Sequence, residues 1–213
     1  MESLLQLMRS HVDFNDSIIC DLAQKVVKRK LNRRKFILTP DSQQESLLFL
    51  TTGITRNFYR ADTKEWTSRF SQPGDFILSV DSFIFDKPSK EYIETCTAIE
   101  FWEISKLDYL DLITRHHELH ILTKKLSDHH LQLGINRMYN WRMLSPLQRY
   151  ELFLSENPNL IMQVQGQHIA SYLGVTSFDL SRIRRRFKEL KASVTFFGII
   201  DISEMYLVMS GLF

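Results

Sequence analysis

Cysteine is almost missing from this sequence: Cys20 and Cys96 are the only two among 213 residues, and they lie far apart. They form no CxxC pair and no metal-spaced set, which fits a reducing compartment and argues against a zinc or iron–sulfur site. Net charge is also small, since 27 basic side chains face 25 acidic ones for a total of +2. Nucleic-acid binding therefore cannot be argued from the total and has to rest on local clusters. No stretch of about 18 uninterrupted apolar residues occurs, so no spanning helix and no membrane partner are expected. The opening "MESLLQLMRSHVDF" carries Glu2 and Arg9 and lacks the long apolar core of a secretory signal. GxSxG, P-loop, Ser–His–Asp and paired-carboxylate patterns are lacking, so an enzyme is not expected. These absences point to a cytoplasmic, non-enzymatic protein.

What is present is an ordinary globular composition, 44% hydrophobic and 24% charged, able to bury a core. Residues 1 to 30 read as helical, with Leu4, Leu5, Leu7 and Met8, then Ile18, Ile19, Leu22 and Val26, at three- and four-residue spacing. Asp16 or Ser17 would cap the second helix. From about 36 to 104 the texture becomes short β-branched and aromatic runs separated by turns. "SLLFLTTGITRNFYR" reads as two strands broken near Gly53, and "QPGDF" (72–76) as a turn in which Pro73 fixes φ and Gly74 frees the backbone. In "EWTSRF", Trp66, Ser68 and Phe70 fall on one face. Such spacing suggests a small antiparallel roll or barrel.

Helical signals return after Ser105. "SKLDYLDLI" is a short amphipathic helix, and a longer one follows from about 117 to 144. In it Leu119, Leu122, Leu126, His129, Leu133, Asn136, Asn140 and Met143 alternate three- and four-residue steps, the seam of a two-stranded coiled coil. That assignment leaves Ile121, Ile135 and Met138 to pack on the helix's own subunit. His116 and His120, at i and i+4, have the spacing of a metal pair but no third ligand. In "LSPLQRYELFL", Ser145 is an N-cap and Pro146 takes the first helical position.

The stretch "QHIASYLGVTSFDLSRIRRRF" (167–187) carries the strongest signal. Ile169, Ala170 and Leu173 give a short helix an apolar face, and Gly174 follows where a tight turn needs positive φ. Thr176 or Ser177 caps a second helix whose Leu180, Ile183 and Phe187 form one buried stripe. This is the helix-turn-helix arrangement. At about 100° per residue, Phe178, Ser181, Arg182 and Arg185 lie away from that stripe, with Arg184 and Arg186 flanking them. Residues 165 to 191 hold six Lys/Arg against two Asp/Glu, a local excess of basic charge in a nearly neutral chain. A second basic run, "KVVKRKLNRRK" (25–35), would suit nucleic acid or RNA polymerase, or simply a solvated face.

Taken together, "PGDFI" (73–77), "FWEISKLDYLDLI" (101–113) and the 167–187 stretch resemble the cyclic-AMP receptor protein/fumarate-nitrate regulator (Crp/Fnr) family of bacterial transcription regulators. The likeness spans about residues 20 to 190 and is greatest to Bacteroidetes-type members, which carry "IASYLG-T---LSRIR". It implies an α+β fold: a double-stranded β-helix (β-roll) sensor with N-terminal helices over 1–115, a dimerisation helix over 116–145, and a winged helix-turn-helix over 146–213. It also implies a homodimer on double-stranded DNA. Gln167 would approach the phosphate backbone, Ser177, Phe178 and Arg182 would face bases, and Thr176, Ser181, Arg184, Arg185 and Arg186 would complete the contact surface. A cyclic-AMP binder of the family carries a Gly-Glu-Leu-type element after the "GDF" turn and an Arg-Ser or Arg-Thr pair further on. Here "GDFILSVDSFIFDKPSKEYI" offers only Asp81 and Lys90 as pocket residues, with Glu91 where a hydroxyl should be. No cofactor is implied, and the effector is one other than cyclic AMP or none. With Cys20 the only cysteine near the N-terminus, the family's iron–sulfur sensor is not expected either.

The tail, "ASVTFFGIIDISEMYLVMSGLF" (192–213), should hold the wing, with Gly198 in its turn. Asp201 and Glu204 then cap a short apolar helix. The tail is atypical for the family, and it suggests an alternative: a degenerate regulator acting as a protein-interaction module, its reading helix covered by the tail.

Overall fold

Alternation along a single strand decides how this chain is layered. In β3 (Ser46–Thr52), Leu48 and Leu50 point one way, while Leu47 and Phe49 point the other. Leu48 and Leu50 meet Leu38, Ile77, Ile93, Ile99 and Phe101 inside a roll of two four-stranded antiparallel sheets. One sheet is ordered β1 (Val27–Leu31), β8 (Ile99–Ser105), β3, β6 (Phe76–Ile77). The other is ordered β2 (Phe36–Leu38), β7 (Tyr92–Thr95), β4 (Thr55–Ala61), β5 (Lys64–Ser71). These elements belong to a computed structural model that describes residues 2–196.

Leu47 and Phe49 face a second core built by α1 (Glu2–His11), α2 (Asp16–Lys25), α3 (Lys106–Arg115) and the start of α4 (His117–Met143). Strand β3 is thus apolar on both faces. Helix α2 is capped by Asn15, whose Oδ1 accepts from Ile18 N–H at 3.0 Å, one residue before the expected cap. Gly53 joins β3 to β4 at φ +87°, and a Cβ there would lie 2.2 Å from the Ala98 carbonyl oxygen. In β5 the register shifts opposite Asn57 and Phe58, so the simple alternation expected for "EWTSRF" does not hold. Instead Trp66 is exposed and Thr67 buried.

The basic run of 25–35 folds into β1 beside acidic β8. Lys28 and Lys30 both pair with Glu100, Arg29 with Glu103, and Lys25 with Asp108 and Asp111. Four of its seven cations are therefore matched within the chain.

Helix α4 corrects the heptad assignment at its N-terminal end. Leu119 and Leu122 are each only 5% exposed, packed in the core between the roll and α1–α3, and Leu126 leans on the same core. A core residue already surrounded by its own chain has no surface to offer a partner. The large apolar side chains that α4 leaves open are Leu131, Leu133, Ile135, Met138, Tyr139 and Met143. Among the remaining expected seam residues, His129 and Asn136 are exposed and Asn140 is half-buried.

After Leu144, α5 (Pro146–Glu156) starts with the full capping box of Ser145 and Gln148. α6 (Leu160–Gln163), α7 (Gly166–Leu173) and α8 (Ser177–Phe196) follow. Residues 192–196, placed in the wing by sequence, extend α8 instead. The rest of the expected wing and the Asp201/Glu204 helix lie outside the described residues.

Candidate DNA-binding interface and effector pocket

The turn between α7 and α8 is built as the sequence indicates. Gly174 adopts φ +67° and closes α7, with its N–H returned to the carbonyls of Ala170 and Ser171. Thr176 caps α8: its Oγ1 accepts from Asp179 N–H at 3.0 Å and donates to the Asp179 carboxylate at 2.7 Å. Leu180 is buried, and Ile183 and Phe187 pack beside it against Tyr150, Phe153, Ile169, Ala170 and Leu173. The Phe187 ring meets Tyr150 edge-on at 5.7 Å. The stripe that fixes α8 thereby turns the opposite face outward.

On that face Ser177, Phe178, Ser181, Arg182, Arg185 and Arg186 are exposed, Phe178 to 71%. Arg182 has its guanidinium 5.9 Å from the Phe178 ring and 4.0 Å from Asp179. Gln167, exposed at the start of α7, is held by Gln165 at 3.1 Å. Arg184 differs from its neighbours. It is half-buried, its Nε is buried without a hydrogen-bond partner, and its Nη1 lies 3.7 Å from where a Gly166 Cβ would be. It lies over the first turn of α7, not beside the other three arginines. Arg182, Arg185 and Arg186 line one wall of an open groove of about 1690 Å³. The tip of the β4–β5 hairpin, with Asp62 and Glu65, forms the other wall.

This hairpin also anchors the helix-turn-helix. Strand β5 is a sheet edge, and its outward backbone groups would otherwise be left open. Ser171 of α7 satisfies two of them, its Oγ donating to Glu65 O at 2.7 Å and accepting from Thr67 N–H at 2.8 Å. Arg137 of α4 donates to Thr67 O at 3.0 Å and lies over the Tyr172 ring at 4.1 Å. Trp66 packs on Trp141, and Phe70 on Phe153 and Tyr172. Ile54 and Cys96 of the roll are part of the helix-turn-helix core itself. Burial there pushes the Cys96 thiol up to about 12, so it stays protonated and inert.

Inside the roll a polar group of side chains gathers around Glu91. Ser68 donates to Glu91 Oε2 at 3.4 Å, and Asn57 donates to Leu78 O at 3.2 Å. Burial pushes the Glu91 carboxyl up, against hydrogen bonds from Ser79, Asn57 and Ser68. Arg69 is half-buried beside it, donating to Phe76 O at 3.0 Å and to His130 Nε2 of α4 at 3.2 Å. Burial, with Arg69 and His129 alongside, holds His130 down at about 4, so its ring is neutral and free to accept.

No family model matches this sequence, and no curated protein is matched by it. Solved structures do match. FixK2 from Bradyrhizobium japonicum superposes with a TM-score of 0.69 at 16% identity, covering 78% of this chain and 86% of that one. CLP, the c-di-GMP responsive global regulator of Xanthomonas campestris, gives 0.64 at 17%, covering 84% and 93%. A Eubacterium rectale protein assigned to the crp/fnr family of transcriptional regulators gives 0.66 at 17%, covering 83% and 84%. The chain has the Crp/Fnr fold.

Of the two residues taken from sequence as pocket groups, Asp81 is half-buried and Lys90 points to solvent. Lys90 is 78% exposed in its side chain and stands 4.0 Å from Asp81 at the surface. The residue that turns inward is Glu91, with Arg69 beside it. Arg69, Glu91 and His130 gather in the polar interior; from sequence Glu91 stood only at the place of an expected hydroxyl, and Arg69 and His130 were not placed in the pocket. Arg69 and Glu91 had a faint signal as charged residues inside strand-like runs, whereas His130 was hidden among five histidines on one segment. Among the described residues, no group of three or more His, Cys, Asp or Glu is arranged to hold a metal. His116 is bonded instead to Asp21 at 2.9 Å.

Proposed function

We propose that this chain is a DNA-binding transcription regulator of the Crp/Fnr type. The observation that carries this reading is the outward face of α8, where Ser177, Phe178, Ser181, Arg182, Arg185 and Arg186 stand clear of a buttressed, capped helix. Arg182 reads a guanine through paired hydrogen bonds to O6 and N7, Phe178 packs on a thymine methyl, and Arg186 and Gln167 hold phosphates. The protein acts as a homodimer joined along an open face of α4, where the exposed Leu131, Ile135 and Met138 recur at helical spacing. Two copies of α8 then enter successive major grooves of a near-palindromic site, with half-site centres roughly 34 Å apart. Residues 1–115 serve as the sensor, 116–145 as the dimerisation element and 146–213 as the DNA-binding domain. The effector is not cyclic AMP, or the roll acts without one.

Selection from a random double-stranded DNA pool tests the reading, with wild type and Arg182→Ala run in parallel. Wild type should enrich a palindrome. The variant should lose preference at one symmetric position, corresponding to roughly 1–3 kcal/mol of discrimination. Enrichment of the same site with the same preferences by both proteins would remove Arg182 as a reader.

A further inference from the structure

Between the outer face of the first sheet and helices α1 to α4 lies an apolar cavity of about 110 Å³. Its wall includes Leu22, Phe49, Phe83, Trp102, Tyr109 and Leu122, and no Asp, Glu, Lys or Arg lines it. It lies on the other face of β3 from the interior of the roll and meets the polar group around Glu91 at His130, which lines the cavity as well. Protein interiors close-pack, and voids larger than a water molecule are few in a native core. This one is of the same order as an apolar cavity of about 150 Å³ that stays dry and takes up benzene.

A second, independent feature marks the same wall. Trp102 of β8 buries its Nε1–H with no hydrogen-bond partner. A buried indole donor normally finds an acceptor, and leaving it unpaired works against folding. Of the other polar side chains in the wall, the Tyr109 hydroxyl pairs with Thr123 Oγ1 at 2.8 Å, Thr123 donates to Leu119 O at 2.7 Å, His130 Nε2 accepts from Arg69 at 3.2 Å, and Ser127 is solvent-exposed. The cavity thus combines an apolar volume with one unused donor.

We propose that this cavity is a binding site for a small, neutral, lipophilic molecule carrying one hydrogen-bond acceptor, a ketone or ester of about six to eight heavy atoms. The apolar part of the molecule fills the space between Leu22, Phe49 and Leu122, and its carbonyl oxygen accepts from Trp102 Nε1–H. A charged ligand is disfavoured because the wall offers no counter-ion. The site does not depend on the DNA-binding reading and is tested without DNA.

The probes are cyclohexanone, methylenecyclohexane (the same shape without the acceptor) and cyclohexanecarboxylate. The readouts are the ¹⁵N-indole resonance of Trp102, assigned by its loss in Trp102→Phe, and the ¹³C-methyl resonances of Leu22 and Leu122. Cyclohexanone should shift the Trp102 resonance saturably, with a Kd of about 1 mM or tighter. Trp102→Phe should weaken cyclohexanone about fivefold, the worth of one neutral hydrogen bond, and leave methylenecyclohexane nearly unchanged. Val26→Phe, which places a ring against the cavity wall, should abolish both. The proposal is overturned if neither neutral probe gives a saturable shift, if a folded Val26→Phe binds like wild type, or if cyclohexanecarboxylate binds as well as cyclohexanone. Equal weakening of both neutral probes by Trp102→Phe would overturn the role of the donor.

Discussion

Gly174 sits at φ +67°, and a Cβ on it would meet the Trp141 ring at 2.4 Å. Gly174→Ala therefore carries two penalties, a left-handed backbone and a clash with a large ring. The substitution should cost more than about 1 kcal/mol and lower the thermal midpoint by several degrees. His168 makes a pH-dependent contribution. It is buried in α7 with Nδ1 unpartnered, and burial, reinforced by Arg56, holds it down at about 4 against an ordinary value of 6.5. In the unfolded chain it takes up a proton below about pH 6.5 that the folded protein refuses. Its contribution to stability is present above pH 6.5 and is lost as pH falls towards 4. His130 behaves in the same way. Buried Glu91 opposes them, because its raised pKa favours folding as pH drops, so wild type alone does not isolate the effect. The difference in urea midpoint between pH 7.5 and 5.0 should be smaller in His168→Gln than in wild type.

Helix α4 shows where the periodicity of a sequence stops being informative. A three–four rhythm from Leu119 to Met143 is plain in the sequence, and a helix forms from His117 to Met143. Periodicity gives the existence of an apolar stripe but not its partner, because a roll and a second helix bury the same residue types. Leu119, Leu122 and Leu126 went to the roll, and Arg137 and Trp141 continue that inward side. Opposite effects are expected from substitutions on the two sides. Leu122→Ala should destabilise the fold by about 2–5 kcal/mol, as emptying a buried leucine site does. Ile135→Glu combined with Met138→Glu should leave the fold intact and convert dimer to monomer, read by light scattering on a sizing column. Local signals served the turn elements better. Gly53, Gly74, Ser145 and Gly174 were legible because each answers a backbone requirement within a few residues of itself. The docking of Ser171 on β5 was not, since Ser171 and Glu65 are 106 residues apart and neither has a local reason to meet the other.

Across the whole molecule, charge is nearly balanced, so any affinity for DNA must come from where the cations sit. Four of the seven cations of the strand-forming basic run are neutralised by β8 and α3, whereas Arg182, Arg185 and Arg186 of α8 are exposed along the groove. A dimer placing six to ten such contacts on phosphates should lose roughly 10³–10⁵ in affinity between 50 and 200 mM salt. Total charge would not predict that, and a flat salt dependence would rule it out. The same titration separates two arginines that sequence alone treats alike. Arg186 is exposed, and Arg186→Ala should lower the slope of log K against log salt by about 1 per subunit. Arg184 lies over the first turn of α7 with its Nε buried, so its guanidinium is held off the outward face. Arg184→Ala should leave the slope within error. If the two variants change the slope equally, Arg184 swings out to reach phosphate and its packing on α7 is not kept on DNA.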